Sequence, residues 1–252
     1  MSLTRGALEV SGLRITGDTE LVRGVDLTLA PSEALGIVGE SGSGKTLTLR
    51  AIMGLLPRGL TRTSGRIDTG GHLAMIFQDP LSYLDPMSRV GDLLAEVCRA
   101  HHGGTPAAAR ARAHALFEDV RLPDPATLLR RYPHQLSGGQ RQRALLAIAL
   151  ATEPDILLCD EPTTALDVTV QAEVLALLAE LRSSRGLSLL FVSHDLAVVA
   201  SLCDRVVVFR DGQVVETGTT ADIVNRPTQP YTRALVNAVL PLPALAEAGG
   251  AQ

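Results

Sequence analysis

The stretch Gly39-Glu40-Ser41-Gly42-Ser43-Gly44-Lys45-Thr46 fits the pattern G-x-x-x-x-G-K-[ST] at every fixed position. An apolar run before it, Ala34–Val38, predicts a short buried strand, and residues 47–56 after it predict a helix. Glycines let the backbone turn its N–H groups inward, and the helix N-terminus adds partial positive charge. The stretch therefore predicts a phosphate-binding loop rather than a chance glycine-rich turn.

Two side chains of this loop suit a nucleoside triphosphate and its metal ion. Lys45 supplies a full positive charge to the β- and γ-phosphates, and the Thr46 hydroxyl can ligate Mg²⁺. The other loop residues, Gly39, Glu40, Ser41, Gly42, Ser43 and Gly44, are expected to surround the phosphates.

Two further apolar runs, residues 156–159 and 189–193, predict buried strands that end in polar side chains. The first ends in Asp160 and Glu161, and the second is followed by His194. Asp160 can hold Mg²⁺, while Glu161 can orient and deprotonate a water molecule. His194 is expected at the carboxyl edge of a parallel sheet, where ligands bind. Each feature alone is also consistent with an ordinary strand end.

Two other motifs carry less information by themselves. Gln78 closes an apolar run, residues 72–77, and its amide could reach the metal or the attacking water. Leu136-Ser137-Gly138-Gly139-Gln140 opens a helical run over residues 141–152. A glycine-containing helix N-terminus is a candidate anion site, although Ser-Gly-Gly is as consistent with a simple helix cap.

In this order, the motifs closely resemble those of the ATP-binding cassette (ABC) ATPases, over residues from about 7 to 240. In that family two cassettes pair head to tail, and each ATP lies between the Walker A loop of one and the signature motif of the other. The resemblance implies a Walker A loop at 39–46, the Q-loop glutamine at Gln78 and a signature motif at 136–140 that acts on the partner's ATP. It also implies Walker B at Asp160, the catalytic carboxylate at Glu161, a D-loop at 164–167 that ends in Asp167, and the switch histidine at His194. It places the Mg²⁺ contacts on Thr46, Gln78 and Asp160.

A finer resemblance is to the ATPases of the oligopeptide, dipeptide and nickel importers, with the nickel-importer ATPase most similar in appearance. It rests on residues 78–86, 132–135 and 160–172, and on Pro230-Tyr231-Thr232, where Gln229 replaces the family's histidine. The ATPase associated with carbon–phosphorus lyase shares many of these residues. A soluble ABC ATPase accessory to such a complex is therefore the alternative to an importer subunit.

The importer resemblance implies a set of partners and a location. The partners are a second ABC ATPase subunit, most often a different chain, two transmembrane permease subunits and an external substrate-binding protein. The chain would lie peripherally on the cytoplasmic face of the bacterial inner membrane. Its cargo, peptide, nickel or another metal chelate, is selected by the other subunits.

Composition is compatible with this interpretation. The chain has 252 residues, 46% of them hydrophobic, and a net charge of −4, which gives no electrostatic case for nucleic acid. No apolar run approaches the roughly 20 residues that span a bilayer. Three scattered cysteines, Cys98, Cys159 and Cys203, suit a reducing compartment. Longer relatives carry a C-terminal cysteine cluster for iron–sulfur ligation, and no such cluster is expected here.

The predicted fold class is α/β: a P-loop NTPase core of the ABC type with an antiparallel β-subdomain and an inserted helical subdomain. Residues 1–240 are expected to form a single ABC ATPase domain. Its nucleotide-binding core would comprise about 7–77 and 155–217, and its helical subdomain about 80–152. Residues 241–252, rich in Ala, Pro and Gly, are predicted to form a loose tail.

The chain departs from the family at the adenine contact. ABC ATPases usually stack adenine on an aromatic residue about thirty positions before the Walker A lysine, where this chain has Thr16. No aromatic residue precedes Phe77. Either a partner supplies the ring, or adenine rests on the side chains of Ile15, Thr16, Leu21 and Val22.

Overall fold

Two β-sheets and a set of helices make up the computed structural model, which describes residues 3–79, 82–164 and 166–239. The strands are β1 (Leu8–Thr16), β2 (Glu20–Leu29), β3 (Ala34–Val38), β4 (Thr61–Thr69), β5 (Leu73–Ile76), β6 (Ile156–Asp160), β7 (Ser188–Ser193), β8 (Arg205–Arg210) and β9 (Gln213–Thr219). The helices are α1 (Lys45–Ile52), α2 (Val90–His102), α3 (Pro106–Asp119), α4 (Pro125–Leu128), α5 (Gly138–Leu150), α6 (Val168–Arg185), α7 (Leu196–Leu202), α8 (Thr220–Asn225) and α9 (Pro230–Val239).

The larger sheet has the strand order β5-β6-β7-β3-β8-β9, in which only β9 runs antiparallel to its neighbour. Strands β3, β6 and β7 are buried on both faces, as their continuous apolar sequences predict. Alternate residues serve two hydrophobic clusters: Leu157 and Leu189 face one, and Leu158 and Leu190 face the other. The sheet thus separates two cores.

The smaller sheet is antiparallel, with the order β2-β1-β4. Strand β1 buries Leu8, Val10, Leu13 and Ile15, so its alternation shifts by one residue at the irregularity between Val10 and Leu13. These side chains pack with those of α1 on one face of the larger sheet. The α/β fold with an antiparallel sheet and a helical part is therefore confirmed.

Helices α2 to α5 follow β5 and precede β6, on the opposite face of the larger sheet. The fully buried Phe117 of α3 belongs to the same hydrophobic cluster as Phe191 of β7, so these helices share a core with the sheet. Within the described ranges no helix is both long and apolar enough to cross a bilayer. The predicted tail, 241–252, lies outside the described residues.

Helix α1 ends four residues earlier than the sequence predicts. Gly54 adopts φ +71°, and the N–H of Leu55 donates to the carbonyl of Arg50 at 2.8 Å. This bond and the left-handed glycine form a common type of helix C-terminus. The sequence prediction ran on to residue 56 because apolar residues continue past Gly54.

The β8–β9 hairpin has the two-residue Asp-Gly turn that its sequence favours, with φ of +49° at Asp211 and +79° at Gly212. The Gly212 N–H donates to the Ser43 carbonyl at 3.1 Å, and its carbonyl accepts from the Arg23 N–H at 2.8 Å. A Cβ at Gly212 would lie 2.4 Å from the Leu21 carbonyl oxygen. The turn thereby links the phosphate loop to β2, and only glycine fits there.

Gly36 allows helix α7 to pack directly on β3. A Cβ at this position would lie 2.1 Å from Val199 Cγ1. We expect Gly36→Ala to lower the free energy of unfolding by about 1–3 kcal/mol, as overpacking does. Gly138→Ala is the control, because its Cβ would lie 3.5 Å from the nearest atom, and it should leave stability equal or higher. Denaturant unfolding measures both, and equal stability of wild type and Gly36→Ala would contradict the described packing.

Candidate functional site

The carboxyl ends of three parallel strands meet at one edge of the larger sheet. Val38 of β3 pairs with Ser193 of β7, and Asp160 of β6 pairs with Val192 of β7. The residues that follow these strands, namely the phosphate loop, Glu161 and His194, therefore emerge side by side. Ile76 of β5 pairs with Cys159, which brings Gln78 to the same edge.

The phosphate loop wraps around the Lys45 ammonium group. Lys45 Nζ donates to the carbonyl oxygens of Gly39 at 2.8 Å and of Glu40 at 2.7 Å. Gly42 and Gly44 adopt φ of +82° and +100°, a backbone that L side chains rarely adopt. Burial lowers the pKa of Lys45, although the nearby carboxylate of Glu161 counteracts this. A phosphate oxygen arriving here would meet a poorly solvated positive charge.

Thr46 and Asp160 supply oxygen atoms next to this ammonium group. Thr46 Oγ1 donates to Asp160 Oδ1 at 2.8 Å, and Asp160 is 1% exposed. Burial raises the pKa of Asp160, while the bond from Thr46 opposes the rise. A hydroxyl and a carboxylate are hard oxygen donors of the type that Mg²⁺ prefers. The donor set therefore fits this ion, which Thr46 and Asp160 would hold.

Three side chains converge on one oxygen of Glu161. Gln78 Nε2 donates to Oε2 at 3.3 Å, Thr164 Oγ1 donates at 3.0 Å, and His194 Nδ1 lies 3.1 Å away. The Glu161 backbone has φ +45° and its N–H donates to the Val192 carbonyl, which turns the carboxylate away from the strand. The Gln78 amide thus contacts the carboxylate expected to act as base. It has no contact with Asp160 among the hydrogen bonds of the described residues.

Lys45, Thr46, Gln78, Glu161, Thr164 and His194 line one cavity of about 460 Å³, and Asp160 is buried behind Thr46. Sequence reasoning predicted most of its lining but gave no site role to Leu47, and it assigned Thr164 to the D-loop rather than to this cavity. Thr164 lies three residues after Glu161, and the turn between them brings its hydroxyl to the Glu161 carboxylate. The lining residues are Ser41, Gly42, Gly44, Lys45, Thr46, Leu47, Gln78, Glu161, Thr164 and His194.

The predicted signature residues 136–140 do not line this cavity. Leu136 is buried, whereas Ser137 and Gly138 are exposed at the start of α5. Ser137 Oγ accepts from the Gln140 N–H, and the Gln140 side chain accepts from the Ser137 N–H, so the pair forms a capping box. Leu136 is thus an anchor for the helix, and Ser137 is the exposed side chain of the motif.

Asp167 caps helix α6 by accepting from the Val170 N–H at 3.0 Å. The turn before it is described except for Ala165. Val170 also packs against Gly139, where a Cβ would lie 2.5 Å from Val170 Cγ1. The start of α6 and the start of α5 therefore lie against each other on the surface of the chain.

Two of the predicted adenine contacts, Ile15 and Val22, are 0% exposed and belong to the hydrophobic core between the two sheets. Val22 Cγ2 would nevertheless lie 3.3 Å from a Cβ on Gly44, which puts this side chain next to the phosphate loop. Thr16 and Leu21 are partly exposed. The Leu21 carbonyl oxygen would lie 3.3 Å from a Cβ on Gly44, which places Leu21 beside the phosphate loop. Thr16 and Leu21 are therefore the exposed candidates for an adenine contact.

The comparisons with known proteins agree with this geometry. A family model described as ABC transporter matches residues 22–164. A probable peptide ABC transporter ATP-binding protein of Sinorhizobium fredii is 43% identical over 239 residues, covering 88% of this chain and 71% of that protein. A peptide import ATP-binding protein of Brucella abortus is 42% identical over 258 residues, covering 94% of this chain and 78% of that protein.

A longer relative and a solved structure are also similar. The glutathione import ATP-binding protein GsiA of Salmonella typhimurium is 41% identical over 270 residues. That match covers 96% of this chain but 43% of GsiA, so the chain spans less than half of this relative. A metal-chelate type ABC transporter in an inward-facing conformation has a TM-score of 0.77 and 25% identity, covering 92% of this chain and 89% of that one. The chain belongs to the ABC transporter family and is one of its ATPases.

Proposed function

We propose that this ATPase powers an importer for peptides or for nickel or other metal chelates. The names of the relatives, which refer to peptide and glutathione import, support the transport class. The observation that carries the proposal is the cavity itself. Its lining combines a lysine-centred phosphate loop, the Thr46 hydroxyl and a carboxylate held by three neighbouring side chains, and the buried Asp160 accepts a hydrogen bond from Thr46 behind the lining.

The chemistry is hydrolysis of the terminal phosphate by water. Residues 39–46 hold the phosphates through backbone N–H groups, and Lys45 balances the charge of the β- and γ-phosphates. Thr46 and Asp160 would hold Mg²⁺, which neutralises charge on the phosphate oxygens when it is bound. Glu161 orients the attacking water and accepts its proton, while Gln78, Thr164 and His194 hold the Glu161 carboxylate in place.

We infer that the active unit is a head-to-tail pair of cassettes. Ser137 and Gly138 are exposed at the N-terminus of α5 and do not line their own chain's cavity, which supports a role at the partner's ATP. Asp167, at the start of the neighbouring α6, belongs to the same surface. The second cassette is expected to be a different chain of the same transporter.

The remaining partners follow from an importer. We place the permease contact on residues 78–100, where Met87 is 83% exposed and Tyr83 is 45% exposed. This stretch begins at Gln78, so movement at the cavity would reach the surface directly. Two transmembrane permeases and an external binding protein would complete the assembly, with this ATPase on the cytoplasmic face of the bacterial inner membrane. The nucleotide-binding core (about 7–77 and 155–217) and the helical part (about 80–152) would move relative to each other.

Co-purification of the tagged chain from its native host tests the importer role. We expect two multi-span membrane proteins and a second ATPase to accompany it. Soluble lyase subunits in their place would support the accessory role of a carbon–phosphorus lyase ATPase and overturn the importer proposal. A Met87→Asp variant should lose the membrane partners while retaining nucleotide binding.

Glu161→Gln should bind ATP but turn it over about 10²–10⁴-fold more slowly, because an amide cannot accept the proton of water. The variant keeps an oxygen that can accept from Thr164 and Gln78, so the local structure should survive. Lys45→Ala is the comparison variant and should fail at nucleotide binding. Equilibrium binding and steady-state hydrolysis in the assembled complex separate the two effects. Wild-type turnover by Glu161→Gln would remove it as the base.

Ser137→Arg should impair hydrolysis at the partner's nucleotide and leave ATP binding at Lys45 intact. Combined with a Walker A lysine mutation in the partner, both lesions fall in one composite site, so the other site should stay active. Combined with Lys45→Ala in the same chain, the lesions fall in different sites and activity should vanish. Loss of activity in the first combination, with activity kept in the second, would exclude action of Ser137 across the interface.

A control is needed because Ser137 also caps α5. Ser137→Ala removes the cap without adding bulk, at a cost of about 1 kcal/mol. Thermal unfolding should show similar stability for Ser137→Ala and Ser137→Arg. The additional loss of hydrolysis in Ser137→Arg then measures the effect on the interface.

Binding should discriminate only weakly between ATP and GTP, because the segment before the phosphate loop contains no Phe, Tyr or Trp that could stack on the base. Thr16→Tyr should tighten ATP binding several-fold, since base–aromatic stacking contributes roughly 1–3 kcal/mol in nucleic-acid complexes. Thr16→Leu controls for added size without a ring. Titration of both nucleotides decides the matter. A strong ATP preference in the wild type would show that the base is held by other contacts.

A further inference from the structure

A tyrosine near the C-terminal end of the described chain contacts the phosphate loop. The N–H of Glu40 donates to the hydroxyl of Tyr231 at 3.2 Å, across 191 positions of sequence. Tyr231 lies in the first turn of α9 and is partly buried. The guanidinium carbon of Arg210 lies 4.9 Å from the centre of its ring. The hydroxyl is therefore held at the loop from two sides, by the helix and by the end of β8.

Helix α9 is itself firmly attached. Glu216 of β9 accepts from the Thr228 N–H at 2.7 Å and from the Gln229 N–H at 3.1 Å, which fixes the segment entering the helix. Thr232 and Val236 are buried, and Val236 belongs to the main hydrophobic cluster. Tyr231 is thus carried by a docked helix, and its position does not depend on a loose terminus.

The peptide unit between Gly39 and Glu40 is held through both of its polar groups. Its carbonyl accepts from Lys45 Nζ at 2.8 Å, and its N–H donates to Tyr231. Gly39 has φ +156°, and a Cβ there would lie 2.2 Å from the Phe209 carbonyl oxygen, so this residue must be glycine and lacks a side chain to restrict rotation. The Tyr231 bond supplies that restriction. It fixes the carbonyl on which the ammonium of Lys45 rests.

We propose that Tyr231 is a positioning residue for nucleotide binding, through which helix α9 fixes the Gly39–Glu40 peptide and hence Lys45 in the geometry that accepts phosphate. A loop already ordered loses less conformational freedom when the nucleotide binds. The hydroxyl has no contact with Glu161, Gln78 or His194 among the hydrogen bonds of the described residues. It therefore acts on affinity and leaves the chemical step unchanged.

Tyr231→Phe tests this, because it removes the hydroxyl and keeps the ring beside Arg210. The hydrogen bond should be worth roughly a two- to twelvefold change in affinity. We expect the Kd of the full chain for ATP and for ADP to rise by that factor. In the assembled complex KM for ATP should rise and kcat should stay within about twofold of wild type. Unchanged affinity, or a fall in kcat without a change in KM, would overturn the proposal.

Arg233→Ala is the matched control on the same helix. Arg233 is exposed and donates to the Thr228 carbonyl at 3.0 Å, so its loss loosens α9 without touching the loop. The Kd of Arg233→Ala for ATP should match that of the wild type. An equal rise in Kd in Arg233→Ala and Tyr231→Phe would mean that Tyr231 only stabilises the helix, and it would refute the proposal.

Hydrogen–deuterium exchange without nucleotide gives an independent measurement. The peptide covering residues 38–44 should exchange faster in Tyr231→Phe than in wild type and Arg233→Ala. Equal exchange in all three would contradict the proposal. Failure of wild type to bind ATP would instead refute the function proposed above, so the two failures are distinguishable.

Discussion

The in-register pairing of the parallel strands β3, β6 and β7 determines where each charged group of the cavity lies. Because Val38, Asp160 and Ser193 end adjacent strands, the residues after them emerge within hydrogen-bonding distance of one another. The contact of His194 with Glu161 joins the ends of the neighbouring strands β7 and β6. The bond from Thr46 to Asp160 reaches further, because it joins the segment after β3 to the end of β6, with β7 between them. A shift of one strand by a single residue would turn these side chains to the other face of the sheet.

This arrangement brings the ammonium of Lys45 and the carboxylate of Asp160 together in a buried site, where each charge alone would be unfavourable. Lys45 and Asp160 are both almost fully buried, and burial disfavours the charged form of each. The loop carbonyls solvate the ammonium, and Thr46 donates to the carboxylate, so each charge is only partly compensated within the chain. A triphosphate with a divalent cation would complete the compensation, since it would bring negative charge to Lys45 and positive charge to Asp160.

The sequence predicts the parts of the site that are local in the chain. The phosphate loop and the ends of β6 and β7 carry their chemistry within a few residues, so their roles follow from short patterns. Ile15 is buried, although strict alternation from Leu8 would leave it outside. The irregularity between Val10 and Leu13 reverses the faces, and its one local signal in the sequence is Gly12, which adopts φ +58° inside the strand. The Tyr231–Glu40 contact has no such local signal, because it joins distant segments whose adjacency only the folded sheet creates.

The start of α5 supports the proposal that one chain is half of a catalytic unit. A helix N-terminus leaves N–H groups free of intrahelical partners, and the capping box satisfies those of Ser137 and Gln140. Gly138 and Gly139 bring no side chain that could cover the backbone, and Gly138 is exposed. Val170 packs beneath Gly139 and fixes the helix against α6, so this end is rigid before any ligand arrives. A rigid, uncovered helix N-terminus outside its own chain's cavity is suited to a negative charge held by another molecule. In the head-to-tail pair that we propose, the phosphate bound to the facing cassette would provide that charge.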